Sequence, residues 1–326
     1  DIHIHGSAGH DMMDATAEAL EAMSRFLAAH GVTSFLPTTV AASRERTSEA
    51  IANVSRHGRA CSGAQPLGVH LEGPYLNPDQ RGAQPPQHLR PPDPAEFSDW
   101  LASGAVRLMT LAPELPGALE LIDRGHREGI EFALGHTAAA YEQVLEAADH
   151  GLRQASHTFN GMPALHHRSP GTLGAVLADG RLYAQVIVDG VHVHPAIAKV
   201  LFRAKGVNRT ILISDAMRAA GLNDGLYDLG GQSISVRGGV ARTAAGSLAG
   251  STLSLDAAVR NALRCGDMSL PQALPMATSV PAAAMGLAAV KGRLAPGADA
   301  DVVLLDDALN VRLTIVAGQV VHDRLN

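Results

Sequence analysis

The chain opens with two histidines separated by one residue, His3 and His5, in a short apolar stretch. In a β-strand, side chains two residues apart point to the same face. Two imidazoles side by side at a strand end can hold one divalent metal ion. Two ordinary surface or core histidines would give the same pattern, so the pair alone does not establish a metal site.

Side chains able to bind metals or move protons recur where other predicted strands end. These segments are His70-Leu71-Glu72-Gly73-Pro74, Ala112-Pro113-Glu114, Gly135-His136-Thr137, His157-Thr158-Phe159-Asn160-Gly161-Met162, Asp189-Gly190-Val191-His192 and Ser214-Asp215-Ala216-Met217. Each has an ordinary explanation when taken alone, such as a hydrogen-bonded core histidine, a glutamate paired with arginine or an aspartate that caps a helix. Their recurrence at successive strand ends favours a metal-dependent hydrolase.

The positions of the lysines limit the types of metal centre that the chain can form. The chain has three of them, Lys199, Lys205 and Lys291, and none lies at a predicted strand end. This placement excludes a pair of metals bridged by a carbamylated lysine. The anion best placed to bridge two metals is then Glu72.

We expect Glu72, His136 and His157 to hold one metal ion and to leave a coordination position for water. His3 and His5 could hold a second ion, sharing Glu72 with the first and using Asp215 as a further ligand. Histidine and carboxylate ligands suit zinc or iron(II) and disfavour calcium or magnesium. The sequence therefore predicts one zinc or iron(II) ion, with a site available for a second.

Composition excludes several other classes of protein. The net charge is −6 and no basic run occurs, which argues against a nucleic-acid partner. No apolar run reaches the roughly 20 residues of a membrane span. Two distant cysteines, Cys61 and Cys265, fit a reducing cytoplasm. Because the chain starts at Asp1, inside a predicted strand and without an initiator methionine, we expect its N-terminal part to be missing.

Short apolar runs alternate with longer segments rich in alanine, leucine and glutamate. The candidate strands are residues 1–5, 32–38, 66–72, 106–112, 131–136, 154–159, 183–189 and 209–215. The candidate helices are residues 15–30, 43–57, 94–103, 117–128, 140–150, 171–179, 195–205 and 252–265. Eight such units predict an α/β fold of the (β/α)₈ barrel type. An open doubly wound sheet is the alternative, but no Gly-x-Gly-x-x-Gly turn follows the first strand.

Three stretches fall outside this alternation. Residues 76–94 are rich in proline and are predicted to form a long loop over one barrel face. Residues 221–247 carry alternating apolar residues and glycines, which predicts a β-hairpin excursion. The tail, 291–326, reads as several short strands. We therefore expect a barrel domain over 1–290 and the C-terminal part of a small β domain over 291–326.

The motifs together resemble the N-acetylglucosamine-6-phosphate deacetylases of the amidohydrolase superfamily. In chain order they are DIHIHG, HLEGPYLN, LAPE, GHT, HTFNGM, DGVHV, SDAM and LAGS. The resemblance implies a barrel with a small β-sandwich built from both chain ends, of which this chain holds only the C-terminal part. Some members keep the first His-x-His pair and hold two metals, whereas others have lost it and hold one.

Carried over residue by residue, the resemblance implies that Glu72, His136 and His157 are metal ligands. It implies that Asp215 is the catalytic acid–base. It further implies that His192 contacts the substrate and polarises the acetyl carbonyl.

The resemblance also implies the residues that bind the sugar phosphate. Asn160 and the backbone of Gly161 would contact it, and Arg168 would reach the phosphate bound by the neighbouring subunit of a homodimer. In the preceding loop, Ala83 and Gln84 would contact the sugar. Many members have histidine where Gln84 stands, which leaves the sugar epimer open.

The implied reaction is hydrolysis of the N-acetyl group of N-acetylglucosamine 6-phosphate to acetate and glucosamine 6-phosphate, in amino-sugar catabolism. A related amidohydrolase acting on N-acetylgalactosamine 6-phosphate or on an N-acyl amino acid is the nearer alternative. A non-catalytic barrel scaffold is the remoter one, and such proteins usually lose metal ligands.

Overall fold

A curled sheet of parallel strands lies at the centre of the computed structural model, which describes residues 1–325. The strands in chain order are β1 (Gly6–Ser7), β2 (His10–Asp11), β3 (Ser34–Phe35), β4 (Gln65–Pro66), β5 (Val69–Glu72), β6 (Val106–Leu111), β7 (Glu131–Leu134), β8 (Leu152–Ala155), β9 (Tyr183–Val186), β10 (Thr210–Leu212), β11 (Gly225–Leu229), β12 (Gln232–Arg237), β13 (Val240–Thr243), β14 (Val302–Leu305), β15 (Val311–Val316) and β16 (Gln319–Asp323). Strands β5 to β10 pair in chain order, and each pair is parallel.

Helices separate the parallel strands, and each predicted helix has a counterpart. The helices are α1 (Ala17–Ala29), α2 (Arg44–His57), α3 (Pro94–Ala102), α4 (Ala118–Arg127), α5 (Tyr141–Asp149), α6 (Gly171–Ala178), α7 (Pro195–Lys205), α8 (Leu255–Gly266), α9 (Leu270–Ala273) and α10 (Ser279–Ala284). Capping residues fix several boundaries: the Thr16 side chain, for example, accepts a hydrogen bond from the Ala19 amide at 3.1 Å. None of the helices within residues 1–325 is long and apolar enough to cross a membrane.

The two chain segments at residues 1–5 and 34–38 close the sheet into a barrel. On one side, the Asp215 amide after β10 donates to the His3 carbonyl at 2.9 Å, and the His5 amide donates to the Ala216 carbonyl at 2.9 Å. On the other side, the backbones of Ile4 and residues 36–38 form a parallel bridge that leads on to β5. The predicted barrel is therefore confirmed, with its ring completed by isolated bridges.

The first predicted strand, residues 1–5, is not a regular strand. Side-chain oxygens take hydrogen bonds that a strand ladder would otherwise supply. The Thr38 hydroxyl accepts from the Ile4 amide at 3.0 Å, and the Asp1 carboxylate accepts from the amides of His3 and Ser214 at 3.4 and 3.3 Å. The segment is buried, and Ile4 forms an isolated parallel bridge with Pro37 where a regular ladder was expected.

The other predicted strands also differ in their bounds. The predicted strand 32–38 is regular at Ser34–Phe35, 131–136 ends at Leu134, 183–189 ends at Val186 and 209–215 shortens to Thr210–Leu212. The predicted strand 66–72 divides into β4 and β5 at Gly68, whose φ is +142° and where a side chain would lie 2.4 Å from the Ala105 carbonyl oxygen. The predicted strand 154–159 begins earlier, at Leu152, and ends at Ala155, before the functional residues that follow it.

Three regions lie outside the alternation of strands and helices, and the one predicted as a β-hairpin is a three-stranded sheet. A loop over 76–94 is held to α3 by Arg90, whose guanidinium binds the buried Glu96 carboxylate at 2.6 and 3.1 Å. Strands β11 to β13 form an antiparallel excursion. Strands β14 to β16 form a C-terminal antiparallel sheet, and Thr314 on β15 donates to the Ala28 carbonyl of α1 at 2.7 Å. The division between residues 290 and 291 remains a proposal.

Candidate metal centre and substrate pocket

Three strand ends bring Glu72, His136 and His157 together. The Glu72 Oε1 atom lies 2.8 Å from the Nε2 of His157 and 3.3 Å from the Nε2 of His136. All three side chains are buried, and one ligand atom from each lies within 4.8 Å of the others. This geometry can enclose one cation with a carboxylate and two imidazoles.

A second group adjoins the first on the other side of Glu72. The Nε2 of His3 lies 3.4 Å from Glu72 Oε1 and 3.4 Å from Asp215 Oδ1. The Nε2 of His5 lies 3.4 Å from Glu72 Oε2 and 3.2 Å from Asp215 Oδ1. His3 Nε2 and Asp215 Oδ1 are buried with no hydrogen-bond partner. Buried polar atoms without partners are rare, and a divalent cation would satisfy both.

Each of the four histidines presents its Nε2 atom to this centre, because an oxygen atom holds the other ring nitrogen. The Nδ1 partners are Gln185 Oε1 for His3, the Thr38 carbonyl for His5, the Gln80 carbonyl for His136 and the Asn160 carbonyl for His157, at 3.3, 3.2, 2.9 and 3.1 Å. A carbonyl oxygen only accepts, so Nδ1 carries the hydrogen and Nε2 is left for a shared proton or a metal.

Unusual backbone conformations aim three of these side chains. The φ angles of His136, His157 and Asp215 are +48°, +27° and +48°. The left-handed region costs a non-glycine residue roughly 1–2 kcal/mol, and each of these residues follows a barrel strand. The strain is local, and it turns each side chain from the strand direction toward the centre.

Both carboxylates are ionised at neutral pH. Burial raises the pKa of Glu72, but the charge of His3 and the hydrogen bonds from His136 and His157 outweigh it, so the pKa lies well below its usual value. Burial likewise raises the pKa of Asp215, but the neighbouring histidines, His3 first, lower it to about 2. The centre therefore holds two ionised carboxylates among four imidazoles, a donor set that a cation can bind.

His192 lies in the same pocket with its ring held by Asp189. The Asp189 Oδ2 atom accepts from His192 Nδ1 at 2.6 Å, and Oδ1 accepts from the amides of Val191 and His192 at 2.8 Å each. Burial raises the pKa of Asp189, but these hydrogen bonds from His192 lower it below its usual value. Sequence reasoning missed Asp189 as a supporting residue, although its spacing of three from His192 was a usable signal.

The pocket has a volume of about 260 Å³. Its wall combines the expected residues with others that the sequence did not single out. It is lined by His5, Val40, Glu72, Gly82, Ala83, Gln84, His136, His157, Asn160, Gly161, His192, Asp215, Leu229, Ser247, Leu248 and Gly250. The β11–β13 excursion and the segment after it therefore form one side of the pocket.

Gln84 is engaged with the metal centre as well as lining the pocket. Its Nε2 donates to Glu72 Oε2 at 2.5 Å, and its Oε1 accepts from the Ala41 amide at 2.8 Å. Both ends of the amide are used, so Gln84 fixes the second oxygen of Glu72. Gly161 packs against His136, and a side chain there would lie 2.9 Å from His136 Nδ1 at a φ of +63°.

Arg168 does not reach the pocket of its own chain. It is exposed in the loop after β8, and its guanidinium lies 2.9 Å from the Nε2 of His167. Asn160 lies at the pocket wall, where its amide nitrogen donates to the His157 carbonyl at 3.2 Å. Within residues 1–325, Arg168 is thus the one predicted site residue that lies away from the pocket and the metal centre.

The sequence and fold of this chain are similar to those of known proteins. The model of the Amidohydrolase family matches residues 1–321. The chain is 43% identical to an N-acetylgalactosamine-6-phosphate deacetylase of Escherichia coli O157:H7, covering 98% of this chain and 85% of that protein. It is 40% identical to an N-acetylglucosamine-6-phosphate deacetylase of Bacillus subtilis strain 168, covering 98% and 82%.

A solved structure is similar over the same length. A mutant N-acetyl-D-glucosamine-6-phosphate deacetylase from Mycobacterium smegmatis, in complex with N-acetyl-D-glucosamine-6-phosphate, superposes with a TM-score of 0.93. The two chains are 38% identical, and the match covers 98% of this chain and 85% of that one. The barrel and its appended β-structure are therefore shared with this protein.

We expect Glu72→Gln to lower both metal content and catalytic activity, because the amide keeps the shape but removes the charge shared by all four imidazoles. Loss of a supporting residue alone typically costs about 10–100-fold in metal affinity, so loss of a ligand should cost at least that. Metal content is measured by plasma mass spectrometry, with Glu131→Gln, outside the pocket, as control. Full occupancy and normal turnover in Glu72→Gln would rule out this site.

Proposed function

Because the chain belongs to the amidohydrolase family, we propose that it hydrolyses the N-acetyl group of N-acetylglucosamine 6-phosphate, releasing acetate and glucosamine 6-phosphate. One observation carries the proposal: Glu72 and Asp215 converge with four histidine Nε2 atoms at the floor of a pocket. Relatives that match nearly the whole chain are named for deacetylation of phosphorylated amino sugars.

The metal is proposed to be zinc or iron(II), held by Glu72, His136 and His157, with His3 and His5 available for a second ion. A bound divalent ion lowers the pKa of water and polarises a carbonyl oxygen. The mixed imidazole and carboxylate donor set is the kind that such ions bind.

Asp215 is proposed to move the proton. Its carboxylate is ionised at neutral pH and borders the pocket, so it can accept a proton from the attacking water. The same carboxyl group then returns that proton to the amide nitrogen, which leaves poorly unless protonated. Both transfers need Asp215 within hydrogen-bond reach of the reacting atoms.

His192 is proposed to stabilise the negative charge that develops on the acetyl oxygen. Its Nδ1 already donates to Asp189, since a carboxylate only accepts. A donation from Nε2 to the substrate therefore requires the doubly protonated ring. The 2.6 Å hydrogen bond to Asp189 fixes the orientation of the ring at the pocket wall.

The phosphate is proposed to be bound by Asn160, by the backbone N–H of Gly161 and by Arg168 of a second subunit, which makes the enzyme a homodimer. The exposed position of Arg168, away from its own pocket, supports the assignment to a neighbour. We also propose a cytoplasmic location, consistent with two free cysteines, Cys61 and Cys265.

N-Acetylgalactosamine 6-phosphate is the second candidate substrate, because the E. coli relative at 43% identity is named for it. The pocket residue Gln84 does not decide between the epimers, since its amide is bound to Glu72 and Ala41. A non-catalytic scaffold is disfavoured because all the expected ligands are present and converge.

Acetate release from both 6-phosphorylated epimers, beside their unphosphorylated forms, tests the proposed substrate directly. We expect the highest kcat/KM for N-acetylglucosamine 6-phosphate and much lower values for both unphosphorylated sugars. A higher kcat/KM for N-acetylgalactosamine 6-phosphate would make that sugar the proposed substrate instead. Absence of acetate release from either phosphorylated sugar by metal-loaded protein would refute both.

We expect Asp215→Asn to lower kcat by about 10²–10⁴-fold, because the amide cannot accept the proton. Substrate binding should be nearly unchanged, since Asn keeps the shape. Steady-state kinetics and metal content are measured together, and the exposed Asp149→Asn serves as control. A variant that retains wild-type kcat would exclude Asp215 as the acid–base.

Arg168→Ala should lower kcat/KM by roughly 10–100-fold for the phosphorylated sugar, since hydrogen bonds to charged groups contribute about 1.5–3 kcal/mol. The unphosphorylated sugar should show almost no loss, and the exposed Arg127→Ala should change neither. Mixed dimers of Asp215→Asn and Arg168→Ala chains should regain activity, because one of their two sites is intact. Equal losses on both sugars would show that Arg168 does not bind the phosphate. Mixed dimers that recover no activity would show that Arg168 does not act on the neighbouring subunit's site.

A further inference from the structure

A chain of hydrogen bonds leads away from His3 through the barrel interior. His3 Nδ1 lies 3.3 Å from Gln185 Oε1, Gln185 Nε2 lies 3.0 Å from Gln154 Oε1, and Gln154 Nε2 lies 3.2 Å from the Ala284 carbonyl oxygen. The side chains of His3, Gln185 and Gln154 are fully buried. We call these two glutamines the amide relay.

The far end of the amide relay fixes its direction. The Ala284 carbonyl can only accept, so Gln154 must turn its NH₂ group toward it. Gln154 then presents Oε1 to Gln185, which in turn must present its own NH₂ to Gln154 and its Oε1 to His3. A flip of either amide would place two donors or two acceptors face to face in the barrel interior.

The direction of the amide relay determines which ring nitrogen of His3 carries the hydrogen. Its Nδ1 must carry the hydrogen, so its Nε2 faces Glu72 and Asp215, each 3.4 Å away. His3 differs from the other three histidines in one respect. Their Nδ1 partners are backbone carbonyls, whereas the partner of His3 is a side chain that substitution can remove.

We propose that Gln185, oriented by Gln154, is a positioning residue that holds His3 ready for a second metal ion and so sets the affinity of that position. The inference rests on the proposed metal centre but needs no assumption about the sugar. Partners of metal-binding histidines commonly govern metal affinity in this way, with losses of about 10–100-fold on mutation. Gln185 does not contact the first ion's ligands His136 and His157 in the hydrogen bonds of residues 1–325.

Equilibrium dialysis of the purified protein against stepped free zinc, read by plasma mass spectrometry, tests the amide relay. We expect wild-type chains to bind two zinc ions, one more weakly than the other. Gln185→Met keeps the volume but removes the acceptor, so it should weaken the weaker site about 10–100-fold and leave the tighter one unchanged. Gln154→Met frees Gln185 to flip and should weaken the same site by a smaller factor.

Two further variants separate positioning from general destabilisation. Gln185→Glu, as a buried carboxylic acid, still accepts from His3 through its carbonyl oxygen and can donate to Gln154 Oε1 through its hydroxyl, so it should retain most of the second-site affinity that Gln185→Met loses. Gln65→Met removes a half-buried amide that donates to the Gly58 carbonyl, away from the centre, and should leave both zinc affinities unchanged.

Three results would overturn the proposal: one zinc ion bound by wild type, unchanged second-site affinity in Gln185→Met, or equal weakening of both sites. Loss of the second site in Gln185→Glu would also overturn it, and this arm stands even if Gln185→Met fails to fold. Because zinc binding is read without substrate, its outcome is independent of acetate release. Protein that follows the expected zinc pattern but releases no acetate would support the amide relay and refute the proposed function.

Discussion

Two buried carboxylates impose the constraint on which the rest of the site depends. Glu72 and Asp215 are almost inaccessible to solvent and ionised, and a buried charge is costly unless it is paired. Four imidazoles supply that pairing, and an oxygen atom on the far side of each ring fixes which nitrogen faces the carboxylates. The protein thus maintains a compact cluster of donors that a divalent cation can complete.

The hydrogen bonds that close the barrel also position the ligands of this centre. The hydrogen bond from the Asp215 amide to the His3 carbonyl joins the last barrel segment to the first and places both side chains at the centre. The segment around Thr38 joins the first to the third, and its carbonyl holds the ring of His5. Disturbing the ring at this seam would therefore disturb the ligands directly.

Much of this arrangement could be predicted from sequence, because local patterns encode it. Helical periodicity located the helices, and the recurrence of His and Glu at strand ends indicated one rim. The left-handed backbone at His157 and the double engagement of Gln84 could not be predicted, since both depend on neighbours distant in sequence. The role of Gln185 was hidden for the same reason: its partner His3 lies 182 residues away. The regularity of residues 1–5 was overestimated because side chains replace the strand ladder there.

Glu72, His136 and His157 are proposed to form a metal centre. Anomalous X-ray diffraction from crystals of the metal-loaded protein, recorded on both sides of the zinc and iron absorption edges, tests it most directly. We expect an anomalous peak about 2.0–2.2 Å from a Glu72 oxygen and from the Nε2 atoms of both histidines. Catalytically active crystals with no peak at this position, or with the metal bound elsewhere, would contradict it.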